Sequence, residues 1–329
     1  MSFQFPASIS VAHLPTPIEP LTRLSKEVEG FQLFIKRDDL TGCALSGNKI
    51  RKLEFVAADA MKNGADTLIT CGGIQSNHAR ATAVLAAKLG LKSLLVLRGQ
   101  PCGDSDGNLF LDQLVGAEIN YISKEDYSTR VDEIMDELAE GLRSRGRKPY
   151  VIPEGASNAL GAMGYLKAFK EIIEQAHERK LKFNAIVCAV GSGGTYAGLL
   201  IGKFLYEQDI EVYGFNVCDN EAYFVNRIWG ILENFKKEYR VDLPIRRTDI
   251  RIIDGYVGEG YALNRQEEIN LINQIAVQEG IILDPVYTVK AMFGLLDQIK
   301  KGRFTKNQSI LFLHSGGIFG LFPKKSLFF

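Results

Sequence analysis

"NAIVCAVGSGGTYAGLL" (184–200) joins a run of apolar residues to a glycine-rich turn and then to a helix-forming stretch. The apolar run reads as a strand buried on both faces. Gly191, Gly193 and Gly194 let backbone amides approach an anion closely and take positive φ where the turn needs it. The helix start beyond them offers free N–H groups and a partial positive charge. With Ser192 in the turn and the Thr195 hydroxyl as a further donor, the segment reads as a phosphate cup. Two other glycine-rich patterns fit less well. A dinucleotide fingerprint wants glycine at 196, where Tyr stands, and an acidic residue about 20 residues on; Asp219 lies a little beyond the expected strand end. A Walker loop needs Gly-Lys-Ser/Thr, which is absent here.

The same strand-then-helix alternation extends outward in both directions. "FQLFIK" (31–36) places Phe31, Leu33 and Ile35 at period two. "DTLITC", "KSLLVLR", "EINYI", "YVIPEG", "EVYGFNV" and "SILFLHSGG" continue the series, separated by helix-length segments. Ile50, Leu53, Ala57 and Ala60 form one apolar helix face that Gly64 should end. Apolar strands alternating with helices predict α/β architecture, with parallel sheets covered on both faces. Ligands in such sheets bind at the carboxyl ends of strands. "CGGIQSNHAR" (71–80) and "HSGGIFG" (314–320) are therefore the companion loops, and "LDPVYTVKAM" (283–292) links two helical stretches.

"SGNKIRK" (46–52) concentrates Lys49, Arg51 and Lys52 in one turn. A lysine at a helix start faces the positive dipole end, which lowers its pKa as a nucleophilic lysine requires. Lys52, one turn on, is placed to meet a phosphate as a point charge. Arg51 points elsewhere and reads as a surface or domain-contact residue. In the third turn, Ser76 and Asn77 are good helix caps. The Ser76 hydroxyl and the amides of residues 76–78 could also hold a carboxylate. His78 reads as a first-turn surface residue or a substrate contact, not a metal ligand.

Bulk numbers narrow the class. Lys and Arg number 39 and Asp and Glu 39, so net charge gives no reason to expect nucleic acid or an anionic membrane as partner. No apolar run approaches the roughly 20 residues that cross a bilayer. The start, "MSFQFPASIS", lacks the pattern of a signal peptide. Cys43, Cys71, Cys102, Cys188 and Cys218 form no CxxC pair, and four histidines show no zinc spacing, which predicts reduced thiols, no metal and a cytoplasmic protein.

Together these loops resemble the fold-type II pyridoxal-phosphate-dependent enzymes, and within them the D-cysteine desulfhydrase and 1-aminocyclopropane-1-carboxylate (ACC) deaminase family. The resemblance rests on "LPTPIEPL" (14–21), "KRDDLTGCALSGNKIRKLEF" (36–55), "GGIQSNHAR" (72–80), "VGSGGTYAG" (190–198), "DPVYTVKAM" (284–292) and "HSGG" (314–317), in the family's order. It implies two domains, each a twisted, mostly parallel sheet with helices on both faces. Residues 1–49 and 156–329 would form the larger, cofactor-binding domain and 50–155 the smaller inserted one. It implies that Lys49 binds pyridoxal phosphate covalently. Lys52 and the amides of Gly191, Ser192, Gly193, Gly194 and Thr195 would hold the phosphate. Asn77 would donate to the ring's phenolic oxygen, Ser76 would meet the substrate carboxylate, and Ser315 would face the pyridine nitrogen. Tyr287 and Tyr261 would flank the ring and handle protons. A small amino acid is the implied substrate, met by Ser76, Asn77, His78, Tyr287 and Thr288, and a homodimer the implied assembly. The apolar end, "LFPKKSLFF" (321–329), would pack on a neighbour or fray.

Two positions divide the family. ACC deaminases carry an acidic residue after the tyrosine of "DPVY" and an apolar residue after the histidine of "HxGG"; here Thr288 and Ser315 stand there. A carboxylate near the pyridine nitrogen deepens the electron sink, which ring opening needs more than β-elimination does. Thr288 and Ser315 thus favour D-cysteine desulfhydration over ACC deamination. A nicotinamide dehydrogenase and an inactive binding protein are the more distant readings.

Overall fold

The computed structural model describes residues 3–101 and 103–328, so Cys102 lies outside the described residues. Among these residues ten strands and ten α-helices alternate, joined by 3₁₀ turns. The strands are β1 (Ile18–Pro20), β2 (Phe31–Arg37), β3 (Thr67–Gly73), β4 (Lys92–Arg98), β5 (Glu118–Ile122), β6 (Pro149–Val151), β7 (Ala185–Val190), β8 (Glu211–Asn216), β9 (Arg251–Ile253) and β10 (Gln308–His314). The helices are α1 (Thr22–Ser25), α2 (Lys49–Lys62), α3 (Asn77–Lys88), α4 (Gly107–Leu114), α5 (Lys124–Arg143), α6 (Ala159–Glu178), α7 (Gly194–Leu205), α8 (Glu221–Tyr239), α9 (Gln266–Glu279) and α10 (Thr288–Lys300).

The strands form two sheets. A six-stranded sheet runs β1-β2-β10-β7-β8-β9, and a four-stranded sheet runs β5-β4-β3-β6. Every pairing is parallel except β1 on β2. The period of two explains why the larger sheet is covered twice. Leu33 and Ile35 of β2, Ala185 and Val187 of β7, and Ile310 and Phe312 of β10 enter one core with α9 and α10. Phe34, Ile186, Cys188, Leu311 and Leu313 alternate with them and enter the other core, with α6, α7 and α8. The smaller sheet does the same: Leu68 packs under α2 and α3, while Ile69, Cys71, Leu94 and Val96 pack under α5.

Helix α2 bridges the two sheets. Its expected stop is present, with Gly64 at φ +69° just past the C-terminus. It packs so closely on α6 that a Cβ at Gly164 would lie 2.5 Å from the Arg51 carbonyl carbon. Residues 9–12 run alongside it, and Val11 and Ala12 donate to the buried Glu54 carboxylate at 2.8 Å. The C-terminal segment is a 3₁₀ stretch, Phe322–Leu327, with Leu321 and Phe328 packed against the core of the larger sheet. Phe322 and Leu327 remain exposed. Cys43, Cys71, Cys188 and Cys218 are free thiols. No helix among the described residues is long and apolar enough to cross a membrane.

Candidate active site

The loops after β3, β7 and β10 converge with the start of α2 on one cavity of about 690 Å³. Asn48 ties three of these segments together. Its amide N–H donates to the Ser315 carbonyl at 3.0 Å, and its side chain donates to Thr195 Oγ1 at 3.0 Å. Gly47 sits at φ +105°, and a Cβ there would lie 2.8 Å from the Ser315 carbonyl oxygen. Only glycine allows that approach.

Lys49 follows directly. Its Nζ donates to Asn48 Oδ1 at 3.1 Å and stands 5.7 Å from the centre of the Tyr287 ring. It lies deep in the cleft with its amine open to the cavity. Burial lowers its pKa from 10.5 to about 8; Glu154 and Asp284 work against that shift and Arg80 adds to it. Desolvation is thus the main cause of the shift expected from the helix start.

The neighbouring cations have separate tasks. Lys52 is buried behind the glycine loop, donating to the Gly155 carbonyl at 2.8 Å and to Ser157 Oγ at 3.3 Å. A Cβ on Gly194 would come within 2.8 Å of its Nζ. Burial, then Lys49 and Arg227, push its pKa well below the ordinary lysine value. Of the two readings of Arg51, the surface one fails and the contact one fits. Arg51 is buried, paired with Asp38 at 2.8 Å and Glu171 at 2.9 Å, because the opposite side of α2 faces α6 rather than water. Lys36 joins the same cluster through Glu171, and Tyr165 donates to Asp38 at 2.5 Å.

Gly191, Ser192, Gly193 and Thr195 line the cavity. Gly193 takes φ +88° at the start of α7 and has no side chain to cap that helix. Ser192 Oγ lies 2.8 Å from Ser157 Oγ, which also accepts the Gly194 N–H at 3.2 Å. Arg227 donates to the Ser192 carbonyl at 3.1 Å and pairs with Glu154 at 3.3 Å. A helix start whose first N–H meets only a serine hydroxyl, two hydroxyls and two nearby cations form a donor set that suits a phosphate.

On the opposite wall, Ser76 caps α3 by accepting the Ala79 N–H at 3.1 Å, which leaves its own proton to donate. Its backbone N–H is occupied by the Gly73 carbonyl at 2.8 Å, so only the amides of residues 77 and 78 remain from the expected carboxylate cradle. The Asn77 carbonyl accepts from Asn108 at 3.1 Å, which turns its NH₂ group outward as a donor. His78 is buried and lines the cavity, contrary to the surface reading. Thr70 Oγ1 lies 2.9 Å from its Nε2, and burial, with Lys49 and Lys52 close by, drives its pKa well below the ordinary value.

Tyr287 and Tyr261 share a hydrogen bond of 2.6 Å, and both line the cavity. Burial pushes Tyr261 up to about 12 and Tyr287 well above the ordinary phenol value. Ser315 also lines the cavity. Thr288, expected at the substrate, is not among the lining residues. It is buried and donates to Asp284 Oδ1 at 2.7 Å, because it opens α10 and serves the turn before it.

Several functional groups escaped the sequence reading. Asp284 accepts the N–H groups of Val286, Tyr287 and Thr288 and so fixes the Tyr287 turn. An Asp-Pro just before a helix was a readable capping signal. Glu154, Tyr127, Arg98 and Arg227 line the outer cavity. Glu154 accepts from Tyr127 at 2.7 Å, and the Arg98 guanidinium lies over both Tyr127 and Tyr261. No local pattern marks those four. Among the described residues no cluster of three His, Cys, Asp or Glu could hold a metal.

Comparison with known proteins agrees with this geometry. The model of the pyridoxal-phosphate dependent enzyme family matches residues 9–316. The chain is 45% identical over 326 residues to the mitochondrial bifunctional D-cysteine desulfhydrase/1-aminocyclopropane-1-carboxylate deaminase of Arabidopsis thaliana, covering 96% of this chain and 80% of that protein. It is 42% identical over 314 residues to the D-cysteine desulfhydrase of Klebsiella pneumoniae, covering 94% and 93%. A crystal structure of an ACC deaminase homologue superposes with a TM-score of 0.90 at 39% identity, covering 98% of this chain and 96% of that one. The chain therefore belongs to the pyridoxal-phosphate-dependent enzymes, in the group of D-cysteine desulfhydrases and ACC deaminases, and its cofactor is pyridoxal 5'-phosphate.

Proposed function

We propose that the protein is a β-elimination lyase that converts D-cysteine to pyruvate, hydrogen sulfide and ammonia. The observation that carries this reading is the neutral Ser315 hydroxyl at the cavity wall, across the Asn48 bridge from Lys49. When bound, the cofactor supplies an electron sink for the pair left at the substrate α-carbon.

Lys49 would hold the cofactor, and its amine, once free, would take the α-proton. Lys52 and the loop from Gly191 to Thr195 would hold the phosphate, the Asn77 amide would meet the ring oxygen, and Ser315 the ring nitrogen. Ser76, with the amides of residues 77 and 78, orients the substrate carboxylate, and neutral His78 lies beside it. As the Cβ–S bond breaks, the Tyr287–Tyr261 pair provides the proton that leaves with sulfur. The released 2-aminoacrylate reacts with water to give pyruvate and ammonia. The larger domain, 1–49 and 156–329, would carry the cofactor, and the inserted domain, 50–155, the carboxylate side. A cytoplasmic homodimer completes the reading, on the family resemblance and the free thiols.

ACC deamination is the second reading, favoured by the two activities in the name of the Arabidopsis relative. Assay of purified protein separates them. Sulfide and pyruvate from D- but not L-cysteine support the proposal. Turnover of ACC to 2-oxobutyrate without turnover of D-cysteine overturns it.

A further inference from the structure

Between β9 and α9, residues 254–265 form neither strand nor helix, and Gly258, Gly260 and Ala262 take positive φ. Such a loop has no ladder to satisfy its carbonyls. Here they converge on one side chain. Lys290, on the first turn of α10, is wholly buried. Its Nζ donates to the carbonyls of Val257, Gly260 (3.2 Å) and Leu263 (2.7 Å), with Glu268 Oε2 at 3.7 Å. Lys324 grips the same loop from the C-terminal segment, donating to the Ala262 carbonyl and to Asn264 Oδ1 at 2.6 Å.

The other side of this loop faces the cavity. Val257, Gly260 and Tyr261 line it, and the Tyr261 hydroxyl meets that of Tyr287. Tyr287 immediately precedes α10. One helix therefore presents one phenol at its start and holds the loop of the other phenol from its first turn.

We propose that Lys290 is a positioning residue for Tyr261, its ammonium filling a ring of backbone carbonyls that would otherwise suit a monovalent cation. Oxygen-only coordination by carbonyls is the chemistry that binds potassium or ammonium, and a tethered ammonium replaces the free ion. The inference rests on the reading that the tyrosine pair acts in the reaction. Lys290 itself touches no reacting atom.

Lys290→Ala removes the ammonium and leaves room for an ion; Lys290→Met fills the same space without charge. Two readouts are taken in sodium, potassium and ammonium chloride: hydrogen exchange at the amides of 257–263, and kcat and KM. In sodium, both variants should exchange at least about tenfold faster over this segment and lose about threefold to tenfold in kcat, with KM little changed. Ammonium or potassium should restore both readouts in Lys290→Ala and neither in Lys290→Met. Unchanged exchange, fast exchange with unaltered kcat, or loss that neither cation reverses in the alanine variant would each overturn the proposal. If wild-type protein turns over neither D-cysteine nor ACC, the functional reading fails, while hydrogen exchange still decides the role of Lys290.

Discussion

The hydroxyls of Tyr261 and Tyr287 lie 2.6 Å apart although the residues are 26 positions apart in the chain. Burial raises both phenols above their ordinary value, so both hold their protons at neutral pH. A short bond between two protonated phenols lets Tyr287, whose ring centre lies 5.7 Å from Lys49 Nζ, pass a proton to a leaving group while Tyr261 supports it. Tyr287→Phe should lower kcat at least about 100-fold, the range for a positioned proton donor. Tyr261→Phe removes only the partner and should cost about tenfold. Steady-state kinetics on D-cysteine check this, and equal, small effects would contradict it.

Cofactor uptake should report the lowered pKa of Lys49. Only the neutral amine attacks an aldehyde. With the value near 8, about a tenth of the amine is neutral at pH 7, and the uptake rate should rise with pH to a plateau above 8. Stopped-flow absorbance of cofactor-free protein mixed with pyridoxal phosphate measures the profile. A rise continuing toward 10.5 would mean that the amine behaves as an exposed lysine.

Arg51 should matter for stability first. Removing it strands the buried Asp38 carboxylate and the partly buried Glu171 carboxylate, a loss of about 3–5 kcal/mol on denaturant unfolding of Arg51→Met. Burial alone would raise both carboxylates, but Arg51 and Lys36 hold them below their ordinary values. Their contribution is thus full above the ordinary carboxylate range and fades as pH falls through it toward the lowered native values. Wild-type protein should lose stability over that range, and Arg51→Met should lose less. Parallel acid profiles would contradict the assignment.

Gly194→Ala tests the phosphate cup. The added Cβ would meet Ser157 Oγ at 2.7 Å and Lys52 Nζ at 2.8 Å, displacing the ammonium from behind the loop. An overpacking cost of about 1–3 kcal/mol predicts cofactor affinity weakened by about fivefold to 150-fold, with the far-ultraviolet spectrum unchanged. Unaltered affinity would place the phosphate elsewhere.

The residues that sequence revealed are those whose chemistry is written locally. Glycines beside a strand end, a serine cap and a lysine at a helix start each carry their meaning within a few positions, and Gly193, Ser76 and Lys49 all face one cavity. Parallel strands were legible because both faces are apolar. The residues that were misread depend on what lies across the fold. Helical geometry turned Arg51 away from Lys49 but could not show α6 and Glu171 waiting there. His78 could be read as exposed, as well as a substrate contact, because the Thr70 hydroxyl that meets it belongs to another element. Thr288 was expected at the substrate beside Tyr287, yet adjacent residues at a helix start point in different directions. Strands β1, β6 and β9 have three residues each, too short for a periodic signal, and only β6 was legible, from its place in the strand-and-helix series.

The central claim is that Lys49, and no other lysine, binds the cofactor covalently. Borohydride reduction of the coloured protein, followed by proteolysis and mass spectrometry, tests it directly. The pyridoxyl group should be found on the peptide containing Lys49, and Lys49→Ala protein should take up no reducible label. A label on Lys52 or on a surface lysine, with Lys49 unmodified in protein that keeps its colour, would contradict the account.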